Sequence, residues 1–394
     1  MDHRPGTPDP YWRGMKRRGV MLAVRQIDPR SRTDRHRFLR FPFALYRNHP
    51  LWVPPIRPDA ELQLNRDKHP FYEHSDADFF VAERDGEVVG RIAALENRPY
   101  NAYHQSRAAQ FYLFECIDDR EVAFALFERV FEWARVRGLN KVIGPKGFGP
   151  LDGYGILVEG FEHRPAMTMM NYNHAYYPAL LEALGFIKEV DFVSCTINPS
   201  FRLPERVHRI AERVQRRGEL RVQTFRSKRE LLRRKRAIGE AYNRAFVNNW
   251  EYYPLSDREV DFVAQNALIV ADPKLIKLIV HGDDIVGFLF GFPDVSAALQ
   301  RCGGNVYSWR IVDLLLEFRR TKWIAINGAG VLPEFQGRGG NALLYVEMER
   351  AVHGSRFEHA DLTQVAESAV QMRQDLVNLG ARPYKNHRVY YRNL

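Results

Sequence analysis

The run 324–348 constrains the fold more than any other part of the chain. Ile324-Ala325-Ile326-Asn327 reads as a strand, and Ala342, Leu343, Leu344, Val346 and Met348 mark the apolar face of a helix. Between them lies a tight, basic, glycine-rich turn, Val331-Leu332-Pro333-Glu334-Phe335-Gln336-Gly337-Arg338-Gly339-Gly340-Asn341. A helix entered this way leaves several backbone N–H groups without an internal partner, and they point outward with the positive end of the helix dipole. Glycines at 337, 339 and 340 let the backbone take positive φ and approach a ligand closely. Arg338 adds a full positive charge, so the turn reads as a phosphate cradle. The plainer reading is a strand-to-helix turn that holds no ligand.

Two familiar phosphate loops are excluded. The chain has no Gly-x4-Gly-Lys-Ser/Thr, and no Gly-x-Gly-x-x-Gly follows a strand. Gln336, Gly339 and Asn341, preceded by Val331–Phe335, instead resemble motif A of the GNAT N-acyltransferases, Gln/Arg-x-x-Gly-x-Gly/Ala. Asn341 departs from it, because Gly or Ala is usual there. The resemblance implies that Val331, Leu332, Gln336, Gly337, Arg338, Gly339, Gly340, Asn341 and Ala342 hold the pyrophosphate of acyl-CoA or acetyl-CoA, with no metal.

The 394 residues exceed one ordinary core, and 45% are hydrophobic, so two domains of similar size are expected. Cys116, Cys195 and Cys302 are odd in number and far apart, which excludes a disulfide framework or a paired-cysteine metal site and fits a reducing cytosol. No apolar run reaches about 18 residues, so no transmembrane helix is expected. Residues 1–20, rich in Pro, Gly and Arg, are expected to be a disordered arm rather than a secretory signal. The net charge of +10 predicts attraction to polyanions: coenzyme A, an anionic membrane face or nucleic acid. Basic residues concentrate in 202–236 with Leu231, Leu232 and Ile238 at helical spacing, which reads first as a solvated helix face. No zinc-finger, homeodomain or RNP-type pattern favours nucleic acid.

The order of elements repeats. The first half, 21–199, has strands over 79–83 and 87–95 around Arg84-Asp85-Gly86, a strand over 111–116, an amphipathic helix over 121–138, strands near 141–143 and 186–196, and a helix over 176–184. A basic linker or helix, 200–219, leads to the second half, 220–394. There a helix over 229–246, a hairpin around Gly282-Asp283-Asp284, strands over 323–331, 359–364 and 387–392, and a helix over 368–379 follow the same order. The turn Leu180–Phe186 corresponds to Leu376–Ala381. This is the GNAT order, so the expected fold is α/β (α+β): two tandem GNAT-like domains, each a mixed twisted sheet flanked by helices.

The halves differ in chemistry. The first-half counterpart of the cradle, Glu115-Cys116-Ile117-Asp118-Asp119-Arg120-Glu121, has no glycine and four acidic residues. Carboxylates there oppose a pyrophosphate by about 1 kcal/mol even in water. The first half is therefore expected to buttress the second or shape the acceptor pocket. A degenerate first domain is also what the resemblance implies.

Acyl transfer to an amine needs a proton acceptor and an oxyanion donor. The resemblance places the oxyanion contact at the strand backbone near Gly330-Val331-Leu332. It also places a tyrosine acid on the late helix, where this chain has Leu376 and Leu181; Tyr384, Tyr390 and Tyr391 are substitutes. Candidate catalytic residues are Glu367, Glu251, Asn327 and Tyr384. Glu367 reads equally as a first-turn carboxylate, with Ser368 or its neighbour as cap. Asn249, Trp250 and Tyr252 lie where the family carries its acceptor loop, and read either as substrate-binding wall or as anchors. His174, within the Met- and Tyr-rich run 168–177, reads first as a loop or core residue.

An insertion over 293–322, aromatic, aliphatic and basic, reads as a lid, an interface helix, or a helix on an anionic bilayer. With the net charge it suggests a small-molecule or lipid amine acceptor, including a long-chain sphingoid-type amine, and a cytoplasmic protein at the inner membrane face. The chain also looks like long bacterial acyl-CoA N-acyltransferase-type proteins. Two alternatives stand: an aminoacyl-tRNA-dependent peptidoglycan-type transferase, and a non-catalytic acyl-CoA-binding protein.

Overall fold

The structure, a computed structural model, describes residues 21–150, 152–166, 170–197, 202–250, 252–307 and 309–394. The expected N-terminal arm and Glu251 lie outside the described residues. Among the described residues the first half contributes β1 (Leu22–Gln26), β2 (Asp76–Arg84), β3 (Glu87–Glu96), β4 (Ala108–Cys116), β5 (Lys141–Gly144), β6 (Ile156–Glu159) and β7 (Ile187–Ile197). The second half contributes β8 (Arg221–Gln223), β9 (Ile276–His281), β10 (Asp284–Pro293), β11 (Trp323–Val331), β12 (His359–Ala366) and β13 (Arg382–Asn393).

All of these strands join one sheet, in the order β1-β2-β3-β4-β5-β13-β7-β12-β11-β10-β9-β8, with β6 against β13. Each half lends its last strand to the other. β13 pairs with β5 of the first half, β7 pairs with β12 of the second, and β7 and β13 pair antiparallel along the centre. A sequence boundary near 199–220 therefore separates the chain but not the sheet. β7 and β13 are buried on both faces over much of their length, which suits central strands.

Local chemistry explains the flanking elements. The first-half helix Arg120–Val136 buries Val122, Leu126, Phe127, Val130 and Phe131, a stripe at helical spacing that closes one face of the sheet. The second-half helix Gly340–Val352 does the same with Leu343, Leu344, Val346 and Met348. The hairpin turns at Asp85-Gly86 and at Gly282 take positive φ, as do the late helix ends at Gly185 and Gly380, so the repeat holds at these corners. The helix expected over 229–246 is two helices, Lys228–Arg233 and Lys235–Ala245, broken at Arg234. The last helix begins at Val370, and Ala369 provides no side-chain cap, so Ser368 does not cap it.

The basic segment over 200–219 is a packed helix, Glu205–Arg217, that lies against helix Gly340–Val352 and buries Ala211 and Val214. Its arginines face solvent while its apolar row faces the second-half core.

Candidate functional site

β11 and β12 pair in parallel only from Trp323↔His359 to Ile326↔Leu362. Beyond that point no ladder joins them, and Thr363 Oγ1 donates to the Ile326 carbonyl at 3.3 Å where they part. β11 also bulges here: its register against β10 jumps from Leu289↔Ala329 to Gly291↔Ile326, an extra residue, with Gly328 at φ 94°. A bulge re-aims side chains and leaves ladder groups unpaired. β12 bulges at the same level, between Leu362 and Val365, where Gln364 takes φ 50°. Two parallel strands that part at paired bulges leave a wedge bordered by backbone N–H and C=O groups.

At the end of β11 the turn enters helix Gly340–Val352 through Gly339 at φ 85°, with no side chain capping the helix. The first N–H groups of the helix therefore keep no side-chain acceptor. Gly337, at φ 74°, opens to empty space. A Cβ on Gly339 would stand 2.8 Å from Val214 Cγ2 and 2.9 Å from Ile210 Cγ2, so helix Glu205–Arg217 sits directly on the turn. One helical turn either way from that contact stand the exposed Arg206, Arg213 and Arg217. Arg338 is exposed beside the Phe335 ring, 5.1 Å from its centre.

Several cradle residues build the turn rather than face outward. The Leu332 N–H donates to Val286 O, Val331 pairs with Gly287, and Gln336 Nε2 folds back to Val331 O at 3.1 Å. Ala342 is buried, and its N–H donates to Gly339 O. Asn341 Nδ2 donates to Asp375 Oδ2 at 3.2 Å, and Tyr345 OH donates to the same oxygen. The departure from Gly or Ala at 341 thus ties this helix to the last one.

The first half presents the opposite arrangement. At its helix N-terminus the Asp119 carboxylate accepts from the Glu121 and Val122 N–H groups. Arg84 bridges Asp119 at 2.8 Å and Glu121 at 3.0 Å. β4 parts from β5 after Gln110↔Ile143 and bulges at Leu113, φ 51°, but the chain folds back into the gap. Lys146 N donates to Phe111 O at 3.0 Å, and Phe148 packs on Tyr112 and Phe79. Glu115 is held by the hydroxyls of Tyr46 and Tyr177, each at 2.7 Å, and desolvation raises its pKa. His174 stacks on Tyr46, and burial lowers it to about 4, so it stays neutral.

On the face opposite helix Gly340–Val352 lies a second cluster. Ile324 packs toward that helix, whereas Ala325 packs with Ala166 and Met170, so alternation puts Asp361, the register partner of Ala325, on the far face. Asp361 accepts a short hydrogen bond from Tyr384 OH; Lys385 Nζ donates to Tyr384 OH at 2.8 Å and to Arg164 O at 2.6 Å, and lies 3.8 Å from Asp361. Arg164 pairs with Asp294 at 2.8 Å. Asp361 is 2% exposed, and its Oδ1 has no hydrogen-bond partner. Burial raises its pKa to about 6, against the pull of Lys385 and Tyr384, and burial lowers Lys385 to about 8. Two residues along β12, roughly 7 Å, separate Asp361 from Thr363 at the mouth of the wedge.

The other sequence candidates scatter. Asn327 stands at the bulge, at the mouth of the wedge. Glu367 pairs with Lys188 Nζ at 2.7 Å and accepts from the Asp191 N–H. Tyr390 is buried in the first-half core, and Tyr391 lies under Lys141. Trp250 packs on Phe192 and faces Lys146, while Tyr252 is buried, its carbonyl accepting from His104 Nε2 at 2.7 Å. The Asn249 N–H donates to Phe246 O, closing the turn that carries them. These loop residues bridge the two halves. Sequence reasoning missed Asp361, Lys385, Arg164 and Asp294. Their signal in the sequence is weak: Asp361 is the one acidic residue of a strand that also carries His359, Thr363 and Gln364.

No family model matches the chain. It is similar to Protein YghO of Escherichia coli (strain K12), 25% identical over 380 residues that cover 92% of this chain and 94% of that protein. It is also similar to the bacterial ceramide synthase of Caulobacter vibrioides (strain NA1000 / CB15N), 24% identical over 375 residues, covering 93% and 97%. Among solved structures, a tandem GNAT protein from the clavulanic acid biosynthesis pathway superposes with a TM-score of 0.53 at 11% identity, covering 95% of this chain and 98% of that one. A GCN5-related glucosamine N-acetyltransferase region of a fungal β-N-acetylglucosaminidase gives a TM-score of 0.54 at 11% identity, covering 95% of this chain and 38% of that one. The chain has the tandem GNAT fold.

Proposed function

We propose that this tandem GNAT chain is an N-acyltransferase that moves an acyl group from acyl-CoA to the amine of a long-chain, lipid-like acceptor, with the donor held by the second half alone. The observation that carries the reading is the pair of helix entries. The second-half helix begins at an uncapped glycine beside a parted strand pair, and the first-half helix begins at a carboxylate that occupies the same N–H groups. A pyrophosphate at the second-half entry meets N–H groups with no side-chain cap, the helix dipole and Arg338. The thioester arm then runs between β11 and β12, where backbone N–H groups near the bulge polarise its carbonyl.

The acceptor amine approaches from the opposite face. Asp361 is the proton acceptor in this reading, and Tyr384 and Lys385 hold it in place; a carboxylate titrating near 6 is ionised at neutral pH. Nitrogen attacks the thioester carbon, the C–S bond breaks, and coenzyme A leaves as thiolate or thiol. The similarity to a bacterial ceramide synthase supports a sphingoid-type amine as acceptor. The test is calorimetric titration with coenzyme A, followed by turnover of acyl-CoA with a long-chain amine. Binding that is unchanged in Arg338→Glu would reject the donor site, and binding without turnover on any amine would reduce the protein to an acyl-CoA-binding one.

A further inference from the structure

The insertion between β10 and β11 folds into two helices, Ser296–Cys302 and Arg310–Arg320. The second buries only Leu314. Ile311, Val312, Leu315 and Leu316 face solvent, and at 100° per residue they span an arc of about 140° along the helix. Trp309, the helix's N-cap, is 74% exposed; Tyr307 just before it and Trp323 just after the helix are also exposed. Large side chains left partly in water this way forgo burial, so a contiguous group of them marks a contact surface.

The charges around the arc are sorted. Asp313 and Glu317 lie on the inner side, and Arg301 holds both, at 3.0 and 2.6 Å. Arg319 and Arg320 are exposed in the last turn, and Arg310 lies beside the Trp309 ring. The outward side of the helix therefore combines bulky apolar groups with arginines, while beside Trp323 the exposed Lys322 is paired with Glu358. That pattern is complementary to an anionic lipid surface. A second copy of the chain is a poor occupant, because it brings the same basic face and another +10 of charge. A closing lid is also excluded by the inner side, which Arg301 fixes to the helix Ser296–Cys302.

We infer that helix Arg310–Arg320 docks the protein on an anionic bilayer through Trp309, Ile311, Val312, Leu315 and Leu316. The docking face adjoins the acceptor side of the site. Asp294 N donates to Trp323 O at 2.9 Å, Asp294 pairs with Arg164, and the Arg164 carbonyl holds Lys385 beside Asp361. The foot of the docking helix and the Asp361 cluster thus share one wall. Docking also accounts for a lipid-like acceptor, but it is read without any substrate and stands or falls separately from acyl transfer.

The test is flotation of the full chain with vesicles of phosphatidylcholine alone and with about a quarter phosphatidylglycerol. The expected result is binding to the anionic vesicles, at least about tenfold weaker to the neutral ones and weakened by salt. Ile311→Glu with Leu315→Glu should lower the affinity at least about tenfold with an unchanged melting profile, since both side chains face solvent. Arg319→Glu with Arg320→Glu should remove the lipid-charge preference. No binding to either vesicle, or equal binding by the variants and the parent, would overturn the inference. So would a concentration-dependent dimer in sedimentation that the apolar variant abolishes, because the face would then serve a second copy.

Discussion

Asp119 and Gly339 stand at the same place in the two halves, the entry of the helix that follows the bulged strand, and they make opposite arrangements. The Asp119 carboxylate fills its helix end with its own oxygen. Gly339 brings no side chain, so the helix end keeps no side-chain cap. One fold, used twice, therefore yields one helix entry without a side-chain cap and one that is closed by a covalently attached anion.

Donor binding should follow this difference. Arg338→Glu is expected to weaken coenzyme A binding more than about tenfold, a loss above roughly 1.4 kcal/mol, in a calorimetric titration. Asp118→Asn with Asp119→Asn should leave the affinity within about threefold, because Asn still caps the helix and no donor contact is removed. A large loss in the Asn double variant would place the donor in the first half.

The helix seated on the turn should contribute charge. Arg213→Glu with Arg217→Glu is expected to reduce coenzyme A affinity several-fold at low salt, and the difference from the parent should shrink as ionic strength rises past about 0.15 M. Both residues are exposed beside the Ile210 and Val214 row that touches Gly339. An effect independent of salt would point to altered packing instead.

Turnover should separate two carboxylates. Asp361→Asn is expected to lower kcat by about a hundredfold or more and to erase the rise in rate through pH about 6 that its titration predicts. Glu367→Gln should stay within a few-fold of the parent, because that carboxylate is engaged by Lys188 and the Asp191 N–H. The reverse outcome would restore Glu367 as the base.

Stability should carry the signature of the same buried pair. Lys385 is lowered from 10.5 to about 8 by burial, so between about pH 8 and 10.5 the unfolded chain binds more protons than the folded one. Stability from this group therefore rises as pH rises through that window. Asp361 is raised from 3.8 to about 6, so the folded chain holds more protons between them, and its contribution falls as pH rises from about 4 to 6. Urea midpoints measured across both windows should show each slope. Lys385→Met should flatten the first and Asp361→Asn the second.

The sequence by itself determined the parts whose physics is local. Glycine at 337 and 339 fixed a turn with positive φ, the apolar spacing from Ala342 to Met348 fixed its helix, and the acidic run at 115–121 announced that the first half differs. Hairpin turns and the paired helix ends at Gly185 and Gly380 were legible for the same reason, because a few adjacent residues decide them. Only the tertiary structure decided which strand pairs with which. The two-sided burial of β7 and β13 suits a central strand in either half, and nothing within those segments names the partner that completes the sheet. Their exchange brings Tyr384 and Lys385 to Asp361, residues whose meaning depends on who lies across the neighbouring strand. The same holds for Glu367 with Lys188, Asn341 with Asp375, and Gly339 under Val214. Conformational preference acts over a turn or two of chain, whereas burial of charge and choice of partner act across distances that sequence order does not encode.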